Sequence, residues 1–317
     1  MGHYAHAFGP DHPESTYLPH RFPEQFFDTG EVEINYAVAG DDSKPALLLI
    51  PGQSESWWGY EPALPLLAES FQVFAVDLRG QGRSSRTPGR YTLDNMGNDL
   101  VRFIAGVIGR PTVVSGLSSG GVLSAWLSAY GIRGAIRGAH YEDPPLFLSE
   151  VDTTCGPSLR QGIGPMFALW SKYLGDQWSI GDWEGMVAAA PHEIPAWLSA
   201  FFVALSDEPT QNLKEYDPEW ARAFWTGSVG ASCDHARMLA AVKVPVLFTH
   251  HFRKVGEDTG TVMGAATDLQ AARVCELVAA SGQPCDYRSF PTMGHSMHGE
   301  DPQLFTDTLV EWASTLP

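Results

Sequence analysis

The chain predicts an α/β fold: a mostly parallel sheet covered by helices on both faces, with a helical insertion. Three observations point there. Short apolar runs alternate with stretches of helical period, most runs are continuous rather than alternating, and one interval of about a hundred residues carries no strand pattern. Strands covered on both faces need successive apolar residues, whereas strands with one wet face alternate. The 317 residues, 44% hydrophobic and 18% charged, are enough for one large core and exclude a disordered chain. No apolar run approaches the ~20 residues that span a bilayer, so a soluble protein is expected.

Charge and cysteine usage narrow the function classes. Twenty basic residues against thirty-seven acidic give a net charge of −17, with no basic stripe. A polyanion would be repelled, which excludes nucleic acid as partner and leaves neutral or cationic ligands. The four cysteines (Cys155, Cys233, Cys275, Cys285) are widely spaced and indicate neither a zinc knuckle nor a disulfide framework. The first twenty residues lack the basic and apolar regions of a secretory signal, so a polar tail and a cytoplasmic location are expected. Nothing in the composition sets an oligomeric state, and a homodimer stays open.

Taken in order, Glu31–Val38 alternates like a half-buried strand paired with the segment around Phe26. Ala46–Ile50, Phe71–Val76, Pro111–Ser115, Ala135–Tyr141, Val244–Thr249 and Asp286–Phe290 are the remaining strands, eight in all. Helices fit at Tyr60–Glu69, Thr92–Ile108, Ser119–Tyr130, Thr267–Ser281 and Pro302–Thr315. The organisation is then a tail (1–23), a core in two parts (24–144 and 244–317) and a lid (145–243) inserted after the sixth strand. Six of the ten tryptophans fall in that insertion (Trp170, Trp178, Trp183, Trp197, Trp220, Trp225), with Phe167, Phe201, Phe202 and Phe224. Some of these rings pack the lid's own core; the rest are expected to face a cavity.

Chemistry enters at Gly116-Leu117-Ser118-Ser119-Gly120. The G-x-S-x-G pattern is weak alone, but here it follows a buried run and opens a helix, the strand–turn–helix of a nucleophile elbow. Ser118 is the candidate nucleophile, and a serine hydroxyl needs a base at neutral pH. His295 follows Gly294 just past the last strand, at the sheet edge where catalytic groups gather; His298 is its rival. The third member must be an acid that fixes the imidazole tautomer. The loop after Val244–Thr249 offers no early carboxylate, whereas the strand after the elbow helix ends in Glu142-Asp143-Pro144-Pro145. Glu142 is preferred over Asp143, with Asp258 third. Main-chain N–H groups of Ser119 and Gln53 are the expected oxyanion donors.

With these residues in place the chain resembles an α/β-hydrolase over residues 24–317. The markers are the loop at Pro51, the Asp77-Leu78-Arg79-Gly80-Gln81-Gly82-Arg83-Ser84 turn, the elbow at Ser118, and Gly294-His295 followed by Glu300-Asp301-Pro302. More narrowly it resembles the bacterial zearalenone hydrolases, which open a resorcylic macrolactone. That match rests on two lid stretches, Asp176-Gln177-Trp178-Ser179-Ile180-Gly181-Asp182-Trp183 and Asn212-Leu213-Lys214-Glu215-Tyr216-Asp217-Pro218-Glu219-Trp220. The resemblance implies a Glu as the acid, which supports Glu142, and a lid Trp on the substrate, which selects Trp220. Phe224 and Trp183 are assigned beside it. The chain departs from one lactonase lineage at Gln53, where that lineage has Gly, and the doublet His250-His251 has no derivable role. The implied function is a lactonase acting on a small, neutral, apolar lactone, with no metal or cofactor. Another esterase, a carbon–carbon bond hydrolase and a non-catalytic ligand receptor are the alternatives.

Overall fold

A computed structural model describes residues 18–147, 159–175, 181–194, 209–257 and 262–317. Eight strands form one sheet: β1 (Glu24–Asp28), β2 (Glu33–Ala39), β3 (Ala46–Ile50), β4 (Gln72–Val76), β5 (Thr112–Leu117), β6 (Ile136–Glu142), β7 (Val246–His250) and β10 (Cys285–Ser289). Their order is β1-β2-β4-β3-β5-β6-β7-β10. β1 and β2 pair antiparallel, as do β2 and β4, and every later pair is parallel. The expected mostly parallel eight-stranded sheet is therefore present. A separate hairpin, β8 (Lys254–Val255) with β9 (Val262–Met263), was not expected; two residues per strand leave too little pattern to read.

The continuous apolar runs are explained by burial on both sides. Leu48, Ile50 and Val114 face one cluster that includes Leu100 and Phe103 of α1 (Leu93–Phe103) and Leu123 of α2 (Ser119–Tyr130). Leu47, Leu49 and Val113 face the other, with Trp57, Leu64, Phe305 and Trp312. Successive strand residues point to opposite faces, so covering both demands an apolar residue at every position.

Two helices differ from expectation for local reasons. The predicted Tyr60–Glu69 helix is a tight turn, Trp57–Tyr60, followed by a single turn, Leu64–Leu67. Pro62 and Pro65 lack the N–H groups a continuous ladder needs. The Thr92–Ile108 helix begins on schedule, with the Thr92 side chain accepting from Asn95 N–H, but its last turn, Ile104–Ile108, widens to a π-turn closed by Gly109 at φ 66°.

Between β6 and β7 the described residues carry helices and no strand: α3 (Leu159–Tyr173), α4 (Trp183–Glu193), α5 (Pro218–Thr226) and shorter turns. Phe167 of α3 meets Phe224 of α5 at 5.3 Å, and Trp170 meets Tyr216 edge-on at 5.9 Å. After the hairpin, α6 (Asp268–Ala280) and α7 (Pro302–Ala313) complete the cover. No helix among the described residues is long and apolar enough to cross a membrane.

Candidate active site

Every candidate group lies at the carboxyl edge of the parallel strands. β5 ends at Leu117, and Ser118 follows with φ 55° and ψ −118°, a backbone region that non-glycine residues rarely adopt. This is the sharp strand-to-helix turn that the G-x-S-x-G pattern predicts. The flanking glycines serve close approach rather than the turn itself. A Cβ on Gly116 would sit 2.2 Å from the Gly120 carbonyl oxygen, and one on Gly120 would sit 2.3 Å from that of Ile50. Packing strand against helix this tightly holds Ser118 in its strained geometry, half-exposed above the sheet.

β6 lies beside β5, and Ser118 N–H donates to the Glu142 carbonyl at 2.8 Å. Here the structure corrects the sequence reading. Asp143, not Glu142, meets His295: its Oδ2 accepts from His295 Nδ1 at 2.6 Å. The reason is backbone geometry. Strand alternation aims neighbouring side chains to opposite faces, but Asp143 leaves the extended region at φ 43°, which turns its carboxylate back over the sheet edge. Its Oδ1 accepts from His251 N–H at 3.0 Å, so both oxygens are held. With Nδ1–H given to a carboxylate, Nε2 of His295 carries the lone pair, the tautomer a general base requires. The ring itself is 48% exposed. Burial of its inner edge lowers its pKa, but the Asp143 hydrogen bond and charge, with Glu142 and Glu55 behind, outweigh that, and the net shift is upward. Among the described residues Ser118 Oγ makes no hydrogen bond to His295, a looseness common in unliganded sites.

Glu142 has a different partner. It is fully buried and accepts from Met297 N–H at 2.8 Å and from His298 Nδ1 at 3.0 Å. His298 in turn donates from Nε2 to Glu55 Oε1 at 3.1 Å and stacks on Tyr60 at 3.9 Å. Burial would keep this ring neutral, but the two carboxylates reverse it and push its pKa up to about 10. The same contact takes Glu142 below the usual carboxylate range, against its own desolvation. His298 is thus a buried imidazolium bound by two carboxylates, not the rival base. Asp258, the third acid considered, lies outside the described residues.

The His250-His251 doublet now has a structural account. His250 bridges Tyr287 Oη and the Ala266 carbonyl, fixing β7 to its neighbours. His251 belongs to an ordered chain. Its Nδ1 faces the carbonyls of Gly294 and His295, both at 3.0 Å, so it must carry the proton. Its Nε2 then accepts from Thr249 Oγ1 (3.1 Å), Thr249 accepts from His140 Nε2 (3.0 Å), and His140 Nδ1 accepts from Ser115 Oγ (2.8 Å). One tautomer assignment satisfies every group. Burial lowers the His140 pKa to about 4, which keeps that ring neutral. The sequence signal was the doublet itself, but only its surroundings distinguish a ligand from a prop.

Opposite the elbow is the loop after β3. A Cβ on Gly52 would touch Ser118 Cβ at 3.4 Å, so this loop flanks Ser118. Gly52 N–H donates to Glu55 Oε2 (3.1 Å), the Gly52 carbonyl accepts from Gln81 Nε2 (3.1 Å), and Ser54 takes φ 57°. The Gln53 amide side chain donates to Tyr216 Oη. Ser119 opens α2, so its main-chain N–H has no intrahelical acceptor. The Ser119 N–H adjoins Ser118, and Gln53 follows Gly52 in the loop that flanks it.

The three rings expected on the substrate are buried among the described residues. Trp220 is fully buried and gives its indole N–H to the Arg79 carbonyl at 2.7 Å; Phe224 stacks on it at 5.8 Å and is 5% exposed. Trp183 is buried as well, at 4%. All three rings are buried, and Trp220 joins the inserted segment to the core through its bond to Arg79. The seam is polar as well as apolar: Asp217 accepts from Arg86 Nε and Tyr91 Oη (2.8 and 2.5 Å), and Glu215 from Ser56 Oγ (2.6 Å). Trp178, Trp197, Phe201 and Phe202 lie outside the described residues.

Comparison with known proteins agrees with this geometry. The sequence pattern of the alpha/beta hydrolase family matches residues 47–308. A 3-oxoadipate enol-lactonase from Acinetobacter baylyi is 26% identical over 100 residues, 32% of this chain and 38% of its own length. A bifunctional epoxide hydrolase from Sus scrofa is 38% identical over 95 residues, 29% of this chain but only 17% of its own length. Among solved structures, the enol-lactonase from Burkholderia xenovorans superposes with a TM-score of 0.65 at 17% identity, covering 92% of this chain and all of that one. A family pattern that spans both halves of the core, and a strained serine turn at the sheet edge where that fold keeps its chemistry, place this chain in the alpha/beta hydrolase family.

Proposed function

We propose that the protein is a serine hydrolase that opens the ester of a neutral, largely apolar lactone of the zearalenone type. The observation that carries the mechanism is the 2.6 Å hydrogen bond from His295 Nδ1 to Asp143, beside the strained Ser118 turn. Ser118 Oγ attacks the ester carbonyl while His295 Nε2 takes its proton. Asp143 stabilises the imidazolium that forms. The N–H groups of Ser119 and Gln53 receive the negative charge developing on the carbonyl oxygen. His295 then protonates the leaving alkoxide, the ring opens, and water attacks the acyl-enzyme with His295 as base, releasing a hydroxy acid. The two lid stretches resembling zearalenone hydrolases support the substrate class, and the enol-lactonase relative supports a cyclic ester.

The test is chromatography and mass spectrometry of zearalenone incubated with the protein. The parent peak should give way to the ring-opened acid or its decarboxylated product. Unchanged zearalenone with turnover of a p-nitrophenyl ester would retire the lactone assignment and leave a carboxylesterase. Failure of a serine-directed phosphonate to label Ser118 would retire the hydrolase reading itself.

A pH prediction follows from His295. The base must be neutral to act, and its pKa is raised above 6.5. The acid limb of kcat/KM should therefore have its midpoint above pH 6.5, with activity lost as pH falls through it. A rate that stays flat down to pH 5 would contradict a histidine base.

A further inference from the structure

The Glu142–His298–Glu55 contacts connect three separate pieces of the site. Glu142 closes β6 immediately before Asp143. His298 and Met297, whose N–H groups also reach Glu142 Oε1, lie on the turn that begins with His295. Glu55 reaches back to the loop that carries Gln53, taking the Gly52 N–H on Oε2 and His298 on Oε1. His298 and Glu142 are fully buried, and Glu55 is 15% exposed at its side chain. The groups facing the imidazole are Glu142 from β6, Glu55 and Tyr60 from the segment after β3, Ser296 from its own turn and Phe305 from α7. His140 and His251 add their fields to Glu142.

We propose that Glu55 and His298 are positioning residues, which hold the oxyanion loop at Gln53 in register with the histidine turn through the buried bridge to Glu142. The proposal rests on the hydrolase reading, because register between these two loops matters only if negative charge develops between them and Ser118. Neither residue touches substrate. A loop anchored at Gly52 N–H and Gly52 carbonyl presents the next N–H, that of Gln53, in one place; released from Glu55, that donor samples several. Oxyanion stabilisation is a transition-state effect, so the loss should appear in kcat rather than KM.

Glu55→Gln is the main test, since the amide keeps the shape and one acceptor but removes the charge. It should lower kcat by on the order of tenfold with KM within about twofold, a fraction of what deleting an oxyanion donor costs. The acid limb of the pH profile should move only slightly, and to lower pH, because Asp143 stays in place and Glu55 is a lesser one of the charges that raise the His295 pKa. The alkaline limb should begin at lower pH, because His298 has lost one of two carboxylates. His298→Gln should lose kcat similarly, and if it fails to fold, Glu55→Gln still decides. A folded Glu55→Gln variant with unchanged kcat, or with an unmoved alkaline limb, overturns the proposal. Imidazole nitrogen-15 spectra give a readout independent of substrate: His298 should be doubly protonated at pH 8.5 in the wild type and lose that proton in Glu142→Gln. A neutral His298 ring at pH 8.5 overturns the charged bridge. If the wild type neither turns over an ester nor reacts with a phosphonate, the hydrolase reading and the positioning role fall together, and the spectrum still decides the bridge.

Discussion

Replacing Ser118 by Ala is expected to lower kcat by roughly 10³-fold or more while the fold survives. The hydroxyl is the only group the change removes. Ser118 makes its backbone bond to the Glu142 carbonyl through N–H, which alanine retains. Alanine also tolerates the strained turn no worse than serine, since both carry a Cβ at φ 55°. Circular dichroism should match the wild type, and residual turnover would report what the oxyanion donors and binding achieve alone. Near-normal hydrolysis by a folded Ser118→Ala variant would end the nucleophile assignment.

Asp143→Asn should cost about 10³- to 10⁴-fold in kcat, the larger effect of the two neighbouring acids. An amide at that site neither holds His295 Nδ1–H in the productive tautomer nor stabilises the charged ring. Glu142→Gln should behave differently because its partner is His298. Removing the charge leaves the buried His298 ring to give up its proton with only Glu55 beside it, and breaking such a buried pair typically destabilises by about 3–5 kcal/mol. The two variants therefore separate by measurement: Asp143→Asn keeps its melting temperature and loses activity, and Glu142→Gln loses melting temperature first. An inactive Glu142→Gln beside an active, equally stable Asp143→Asn would restore Glu142 as the acid.

The choice between those acids marks where sequence reasoning stopped. Glu142-Asp143-Pro144 announced a carboxylate at the strand tip, and Gly294-His295 announced the histidine that meets it. Strand parity then allows only one of two neighbours to face the histidine. Parity lapses here, because Asp143 is no longer in the strand: its φ of 43° re-aims it, and both acids reach the histidine turn at different residues. A family pattern that favours Glu could not reveal this, since it records residue types and not which imidazole each one meets. Glu55 was invisible for a similar reason. It is 243 residues from His298 along the chain, and nothing in its local pattern separates it from an ordinary loop carboxylate.

The lid shows the same division. Its tryptophans pointed to a helical insertion because so many large rings need somewhere to be buried. Assigning Trp220 to substrate required knowing which face it presents, and the Arg79 carbonyl claims its one polar atom.

By itself the sequence determined the sheet, its parallel sense, the elbow at Ser118 and the histidine at its edge. Each is encoded locally, by runs of apolar residues or by a short motif between a strand and a helix. Tertiary structure alone decided which carboxylate serves which histidine, how the His250-His251 doublet is bonded, and that Trp183, Trp220 and Phe224 are buried. Those outcomes depend on backbone angles at single residues and on contacts between segments far apart in the chain, and no local pattern carries that information.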